Sequence, residues 1–221
     1  PLYSSAASDV YKRQLNDNMI LGISWGNTMY HTVKAVKTSK NIPITVVPIM
    51  GAANVRTPER DSLDLSKELA YAYGGTYHYI YAPLFVNSEE VRDSLEQEPN
   101  IKGCLELAKN ADIILTSVGS IVYKSWKSYL STRDLYNLEK KGAIGHIGGH
   151  FYDMEGNEVI TPFVNKMIGL GIEDIKNTEN VICVAGLEMK AEAILGAVRG
   201  GYINTLITDE EAAKAVLALC K

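Results

Sequence analysis

The sequence predicts an α/β domain: a mostly parallel sheet with helices on both faces and a small inserted antiparallel hairpin. Three observations carry this. Short apolar runs recur, each followed by a loop of Gly, Ser, Ala or Thr and then by a segment of helical period. The runs are continuously apolar, as strands covered on both faces are. The order strand, loop, helix repeats, which requires parallel strands joined by crossovers. A chain of 221 residues suffices for one large domain or two small ones.

The elements run in order along the chain. Residues 19–24 read as the first strand and 27–37 as the first helix. Residues 44–49 are a second strand, ending in the small-residue loop 51–54. Thr57 with Pro58 reads as an N-cap and first helical position, and Leu65, Leu69 and Ala72 as the apolar stripe of that helix, stopped by Gly74-Gly75. Residues 76–82 form a Tyr-rich third strand. Asn87 with Glu90 suggests a capping box, and Pro99 divides that helix from the next, striped by Ile101, Leu105 and Ala108. Residues 112–116 make a fourth strand that runs into the loop 117–120. The polar, aromatic stretch 123–141 reads as helices and turns. A Gly-rich segment over 142–149 leads to a hairpin of 150–153 and 158–160 turning at Gly156. Residues 181–185 are a further strand with the loop 186–188, then a helix striped by Ala191, Ile194, Leu195 and Val198. Residues 205–208 are the last strand, and Thr208 with Glu211 caps the closing helix.

Residues 1–14 show no period continuous with the rest of the chain and read as a non-native, adaptor-like segment, so the domain is taken as residues 15–221. The charges nearly balance, 22 basic against 26 acidic for a net of −4, so the domain carries no electrostatic footprint for nucleic acid. Cys104, Cys183 and Cys220 are scattered and read as buried thiols in a reducing compartment. No apolar run reaches membrane-spanning length, and a cytoplasmic location is expected.

Ligands of open parallel sheets sit at the carboxyl ends of the strands, where the loops 22–28, 51–54, 117–120 and 186–188 gather. The run Gly22-Ile-Ser24-Trp-Gly26-Asn-Thr28 is neither a dinucleotide fingerprint nor a Walker loop. It fits a phosphate cradle at a helix N-terminus, and it equally fits a tight glycine turn with no ligand. Lys190, just past a strand-end loop, fits a ligand-binding cation or a solvated surface residue; Lys166 and Arg56 are weaker versions of the same idea. His146 and His150 have i, i+4 spacing, but the glycines around them disfavour a helix and no further ligands complete a set, so no metal is expected. No Ser–His–Asp order, carboxylate pair or nucleophile elbow stands out. No catalytic residue and no cofactor are assigned.

The motifs taken in order resemble a known family. They are Gly22-Ile-Ser-Trp-Gly-Asn-Thr-Met29, Val46-Val-Pro48 with Gly51, Ala82-Pro83-Leu84, Ala111-Asp112 with Ser117-Val-Gly119, and Gly142-Ala-Ile-Gly145. Phe151-Tyr-Asp153 with Gly156, Ile168-Gly169, Val184-Ala-Gly186 with Lys190, and Leu206-Ile-Thr-Asp209 continue the series. Together they resemble the C-terminal sugar-binding, or effector, domain of SorC-type transcriptional regulators, in texture nearest the deoxyribonucleoside and central glycolytic branches. The resemblance implies a fold like glucosamine-6-phosphate deaminase and ribose-5-phosphate isomerase turned to sensing. It implies a phosphorylated sugar as effector, a homo-oligomer, and operator DNA as partner through an N-terminal helix-turn-helix outside this chain. Carried over residue by residue, it places Ser24, Gly26, Asn27 and Thr28 on the phosphate, with Trp25 and Met29 flanking. It places Gly51, Ala52 and Asn54 along the sugar, and Gly119 and Lys190 closing the site. Three departures stand out. Met50 occupies the position of a Lys that forms a Schiff base in the deoxyribonucleoside branch, His146 replaces a usual Asp, and Gly186-Leu187 replaces a usual Gly-Gly.

Overall fold

The computed structural model describes residues 15–37, 41–53, 58–121, 126 and 130–220. The expectations for residues 1–14, Asn54, Arg56, Thr57 and most of 122–129 lie outside the described residues.

Six parallel strands form the main sheet: β1 (Ile20–Ile23), β2 (Thr45–Pro48), β3 (Thr76–Tyr77), β4 (Ile113–Thr116), β8 (Asn180–Val184) and β9 (Thr205–Ile207). Their order is β3-β2-β1-β4-β8-β9, all in parallel register. Counted among themselves the strands run 3-2-1-4-5-6, the doubly wound order, which reverses direction between β1 and β4. A second sheet, antiparallel, joins β5 (Val118–Ser120), β6 (Gly145–Ile147) and β7 (His150–Tyr152). The helices are α1 (Asn27–Lys34), α2 (Ser62–Tyr73), α3 (Glu89–Glu96), α4 (Pro99–Lys109), α5 (Thr132–Lys140), α6 (Ile172–Asn177), α7 (Ala191–Arg199) and α8 (Glu210–Leu219).

Alternation along each strand divides the core into two layers. Leu21, Ile23, Val46, Ile113, Leu115, Ile182 and Val184 face Met29 and Val33 of α1 and Leu65, Leu69 and Tyr73 of α2. Val47, Ile114, Val181 and Cys183 face the other way, toward α4, α7 and the antiparallel sheet. Each such side chain, fully buried, contributes about 1.5–3 kcal/mol from apolar transfer. Gly22 is the small residue where the second layer closes tightly: a Cβ there would lie 2.8 Å from Ile49 Cγ2 and 3.2 Å from Ile114 Cγ1.

Several expectations shift in detail, each for a local reason. The Tyr-rich run stops pairing early. Thr45 and Ile49 donate their N–H groups to Met19 and Ile23, so Val46 and Pro48 face β3. His78 still donates to Val46 O, but Pro48 has no N–H to continue the ladder. The expected loop 117–120 is largely strand β5. The antiparallel insert turns at Gly148-Gly149, whose φ values of 57° and 92° suit a tight two-residue hairpin. The expected turn at Gly156 survives as a single bridge between Tyr152 and Glu158.

Three caps fall one or more residues from where the spacing suggested. Asp61 caps α2, Ser88 caps α3 and Asp209 caps α8. In each case a short polar side chain nearer the first turn reaches the free amide. On α2 the buried face runs through Ser62, Leu65, Ser66, Leu69, Ala70 and Tyr73, leaving Ala72 outside; on α7, Val198 points outward.

Candidate functional site

The reversal of strand order between β1 and β4 opens a crevice at the carboxyl edge of the sheet, the place where such sheets bind ligands. A cavity of about 240 Å³ lies there. Most of its lining comes from five places in the chain: Ser24–Thr28 after β1, Met50 after β2, Ser117–Ser120 after β4, His146 with Gly148 and Gly149 in the hairpin, and Leu187 with Lys190 after β8. Trp126 completes the wall.

The first loop presents a helix end. Ser24 N–H donates to Leu115 O at 3.1 Å, which continues the sheet ladder past β1, and its hydroxyl accepts from Thr116 Oγ1 at 3.1 Å. Gly26 then turns the chain with φ 118° and ψ 173°; open space surrounds the site of its missing Cβ, so the glycine is required by the backbone and not by crowding. Its N–H donates to Arg60 O and its carbonyl accepts the first helical bond from Tyr30. No side chain caps α1 and no acidic residue occupies its first turn. The amides at the start of α1 therefore end at the cavity with their partial positive charge uncompensated.

The second loop divides. Met50 lines the cavity, whereas Gly51 and Ala52 are tied to the segment behind it. Gly51 N–H donates to Ile168 O, Ala52 N–H donates to Ala82 O, and Ala52 O accepts from Leu84. A Cβ on Gly51 would lie 2.6 Å from Pro83 O, so this glycine serves a close backbone approach. The buried carboxylate of Asp61 holds the next residue, accepting from Ala53 N–H at 2.9 Å.

On the far side, Lys190 is partly buried. Its Nζ donates to Val118 O at 3.0 Å, and burial pushes its pKa below the usual lysine value. No carboxylate pairs with it among the described residues. Beside it, burial and then the charge of Lys190 push His146 down to about 3, so the imidazole is neutral. Among the described residues its Nε2 is buried without a hydrogen-bond partner. The ring is held edge-on to Trp126, with centroids 5.0 Å apart, and tilted against Phe151 at 5.6 Å. Cys183, also nearby, is pushed up to about 12 by burial and is an inert thiol.

The structure thus brings Ser24, Trp25, Gly26, Asn27, Thr28, Gly119 and Lys190 around one cavity and sets Gly51 and Ala52 behind it. Lys166 is not among the lining residues. His150 belongs to the core, bonded to Glu158 at 2.7 Å and Leu170 O at 2.9 Å. Among the described residues no cluster of three His, Cys, Asp or Glu side chains is placed to hold a metal. Sequence reading gathered the loop 117–120 at this edge while naming only Gly119 as a ligand residue, and it passed over Gly148, Gly149 and Trp126 as ligand-facing groups. The Gly148-Gly149 pair beside His146 was an available signal; Trp126 carried none, because no local pattern marks its return to the first loop.

A family described as "Putative sugar-binding domain" matches residues 2–218. The chain belongs to this family. Transcriptional regulator YjhU of Escherichia coli K12 is 29% identical over 220 residues, 97% of this chain and 66% of that protein. The deoxyribonucleoside regulator of Bacillus subtilis 168 is 28% identical over 205 residues, 92% of this chain and 66% of that protein. The full-length sorbitol operon regulator SorC from Klebsiella pneumoniae superposes with a TM-score of 0.92 at 24% identity, over 97% of this chain and 71% of that one. The chain thus spans just under two thirds of the length of these curated relatives. The family, the fold and the resemblance to SorC-type regulators agree, and the relatives support a regulatory rather than an enzymatic role. Among the described residues no helix is long and apolar enough to cross a membrane.

Proposed function

We propose that this domain is the effector sensor of a SorC-type transcriptional regulator and that its effector is a phosphorylated sugar. The observation that carries the phosphate is the start of α1: an uncapped helix end, free of acidic side chains, opening into the cavity at the point where strand order reverses. Ser24, Asn27 and Thr28 add hydrogen-bonding side chains there, and Trp25, Trp126 and Met50 give the apolar walls against which a sugar ring packs.

In the full-length protein, effector binding controls operator affinity of a helix-turn-helix domain in a cytoplasmic homo-oligomer. It does so only if the sugar phosphate binds one arrangement of the subunits better than the other. An isomerase or deaminase on this fold needs a base poised over the sugar carbons. Among the described lining residues only Lys190 and His146 titrate near a sugar, and burial leaves His146 a very weak base.

A thermal-shift panel of sugars and their phosphates tests the reading. At a ligand concentration of 100 Kd the folded state gains about 2.7 kcal/mol, a readily measured rise in Tm. At least one phosphorylated sugar is expected to raise Tm, with little effect from its unphosphorylated form. A flat response to every phosphosugar, or turnover of the bound sugar, would overturn it.

A further inference from the structure

The cavity has two positive poles, and the phosphate accounts for one. The start of α1 follows β1, whereas Lys190 follows β8, and β4 lies between them. The strands that carry the two poles lie two spacings, about 10 Å, apart at the sheet edge, and the Lys190 side chain reaches back to Val118 O, just past β4. With the phosphate seated on the α1 amides, the Lys190 ammonium calls for a counterion of its own.

That ammonium needs one. It is partly buried, it has three N–H donors, and among the described residues its hydrogen bond goes to a neutral carbonyl, Val118 O. A buried charge is normally paired. None of the described residues lining the cavity is acidic, so they supply no anion. The neighbouring His146 offers a neutral imidazole whose Nε2 is buried and unbonded, on a ring fixed by Trp126 and Phe151. This end thus offers ammonium donors and a ring nitrogen that donates in one tautomer, with no anion among the described lining residues to meet them.

We infer that the effector is acidic at both ends: a phosphorylated sugar acid whose carboxylate sits against Lys190 and His146. This rests on the phosphosugar reading and narrows it. The carboxylate supplies the missing counterion, and its second oxygen accepts from the imidazole N–H, which the neutral ring carries at physiological pH.

Titration calorimetry with matched five- and six-carbon aldoses, aldonates, aldose phosphates and phosphoaldonates tests it on the wild-type domain. A phosphoaldonate is expected to bind at least tenfold more tightly than the corresponding aldose phosphate. In Lys190→Met, which removes the charge at similar volume, that advantage should vanish while aldose phosphates keep most of their affinity. Equal affinities for aldose phosphate and phosphoaldonate in the wild-type domain would overturn the inference while leaving the phosphosugar reading intact. So would an advantage that persists in Lys190→Met. Binding of unphosphorylated aldonates as tight as that of their phosphates would support the second pole and sink the phosphate at the first. If Lys190→Met does not fold, the wild-type comparison still decides.

Discussion

Gly119 of β5 lies directly opposite His146 of β6, and the imidazole fills the space that a side chain on Gly119 would need. The two residues form one wall of the cavity, so the ring's position depends on the absence of a Cβ across the pair. Gly119→Ala should push the ring into Trp126 and Phe151, which hold its other sides. Overpacking of this kind costs about 1–3 kcal/mol. Urea denaturation is expected to show a lower midpoint together with loss of effector response. An unchanged midpoint would mean that the ring is free to move.

Thr28→Ala tests the first pole. Thr28 stands in the first turn of α1, beside amides that no side chain caps. Loss of one hydrogen bond to a charged phosphate, about 1.5–3 kcal/mol, should weaken a phosphosugar about 10- to 100-fold in calorimetry. Affinity equal to that of the wild type would make this loop purely structural.

The layers of the fold were legible because each rests on a local pattern. Continuous apolar runs such as 44–49 and 181–185 announced buried parallel strands, and the loops after them announced the site's edge. What was not legible depends on contacts distant in sequence. Val118–Ser120 reads as a small-residue loop because its partner strand, Gly145–Ile147, lies far along the chain. Gly51 resembles a ligand-facing glycine, yet its missing Cβ makes room for Pro83 O. A glycine after a strand signals a close approach without saying what approaches. The N-cap of α2 shows the same limit: Thr57-Pro58 had the expected pattern, but Pro58–Arg60 forms a separate 3-10 turn and Asp61 caps the helix.

Asp61→Ala should be among the more damaging substitutions outside the cavity. The carboxylate is buried, accepts from Leu63 N–H at the start of α2 and from Ala53 N–H at 2.9 Å, and so fastens the loop after β2 to the helix. Losing the cap costs about 0.5–2 kcal/mol, and leaving the buried Ala53 amide unsatisfied adds about 1–3 kcal/mol. Denaturant titration is expected to register both, with Asp61→Asn losing less because its side-chain oxygen still accepts one of the bonds. A loss below about 0.5 kcal/mol, within the range of an ordinary surface substitution, would show that the loop has other anchors.

Leu187 has φ 79° and ψ 133°, a conformation that suits glycine. It is held there by its N–H to Asp209 Oδ2 at 2.8 Å and by Lys190 N–H donating to its carbonyl at 3.0 Å. Strain of this sort costs about 1–3 kcal/mol. The side chain is 44% exposed, so little packing is lost on truncation. Leu187→Gly is therefore expected to raise the unfolding midpoint while weakening effector binding, because an apolar group leaves the cavity rim. A lower midpoint with unchanged binding would show that the leucine is there for packing alone.

His146 should leave a signature in the pH dependence of stability. Burial first, and the Lys190 charge second, hold its pKa at about 3, against about 6.5 in the unfolded chain. Between those values the unfolded chain binds a proton that the folded domain does not. Stability from this group is thus fully present above about pH 6.5 and is lost progressively as pH falls toward 3. His146→Asn removes the titration. Asp and Glu residues titrate in both proteins and cancel in the comparison. The unfolding free energy of the variant minus that of the wild type should be flat above about pH 7 and should rise in the variant's favour from about pH 6.5 down to about pH 4. A difference that stays constant across that window would mean that the imidazole takes up its proton in the folded domain as readily as in water, and that the wall around it is open to solvent.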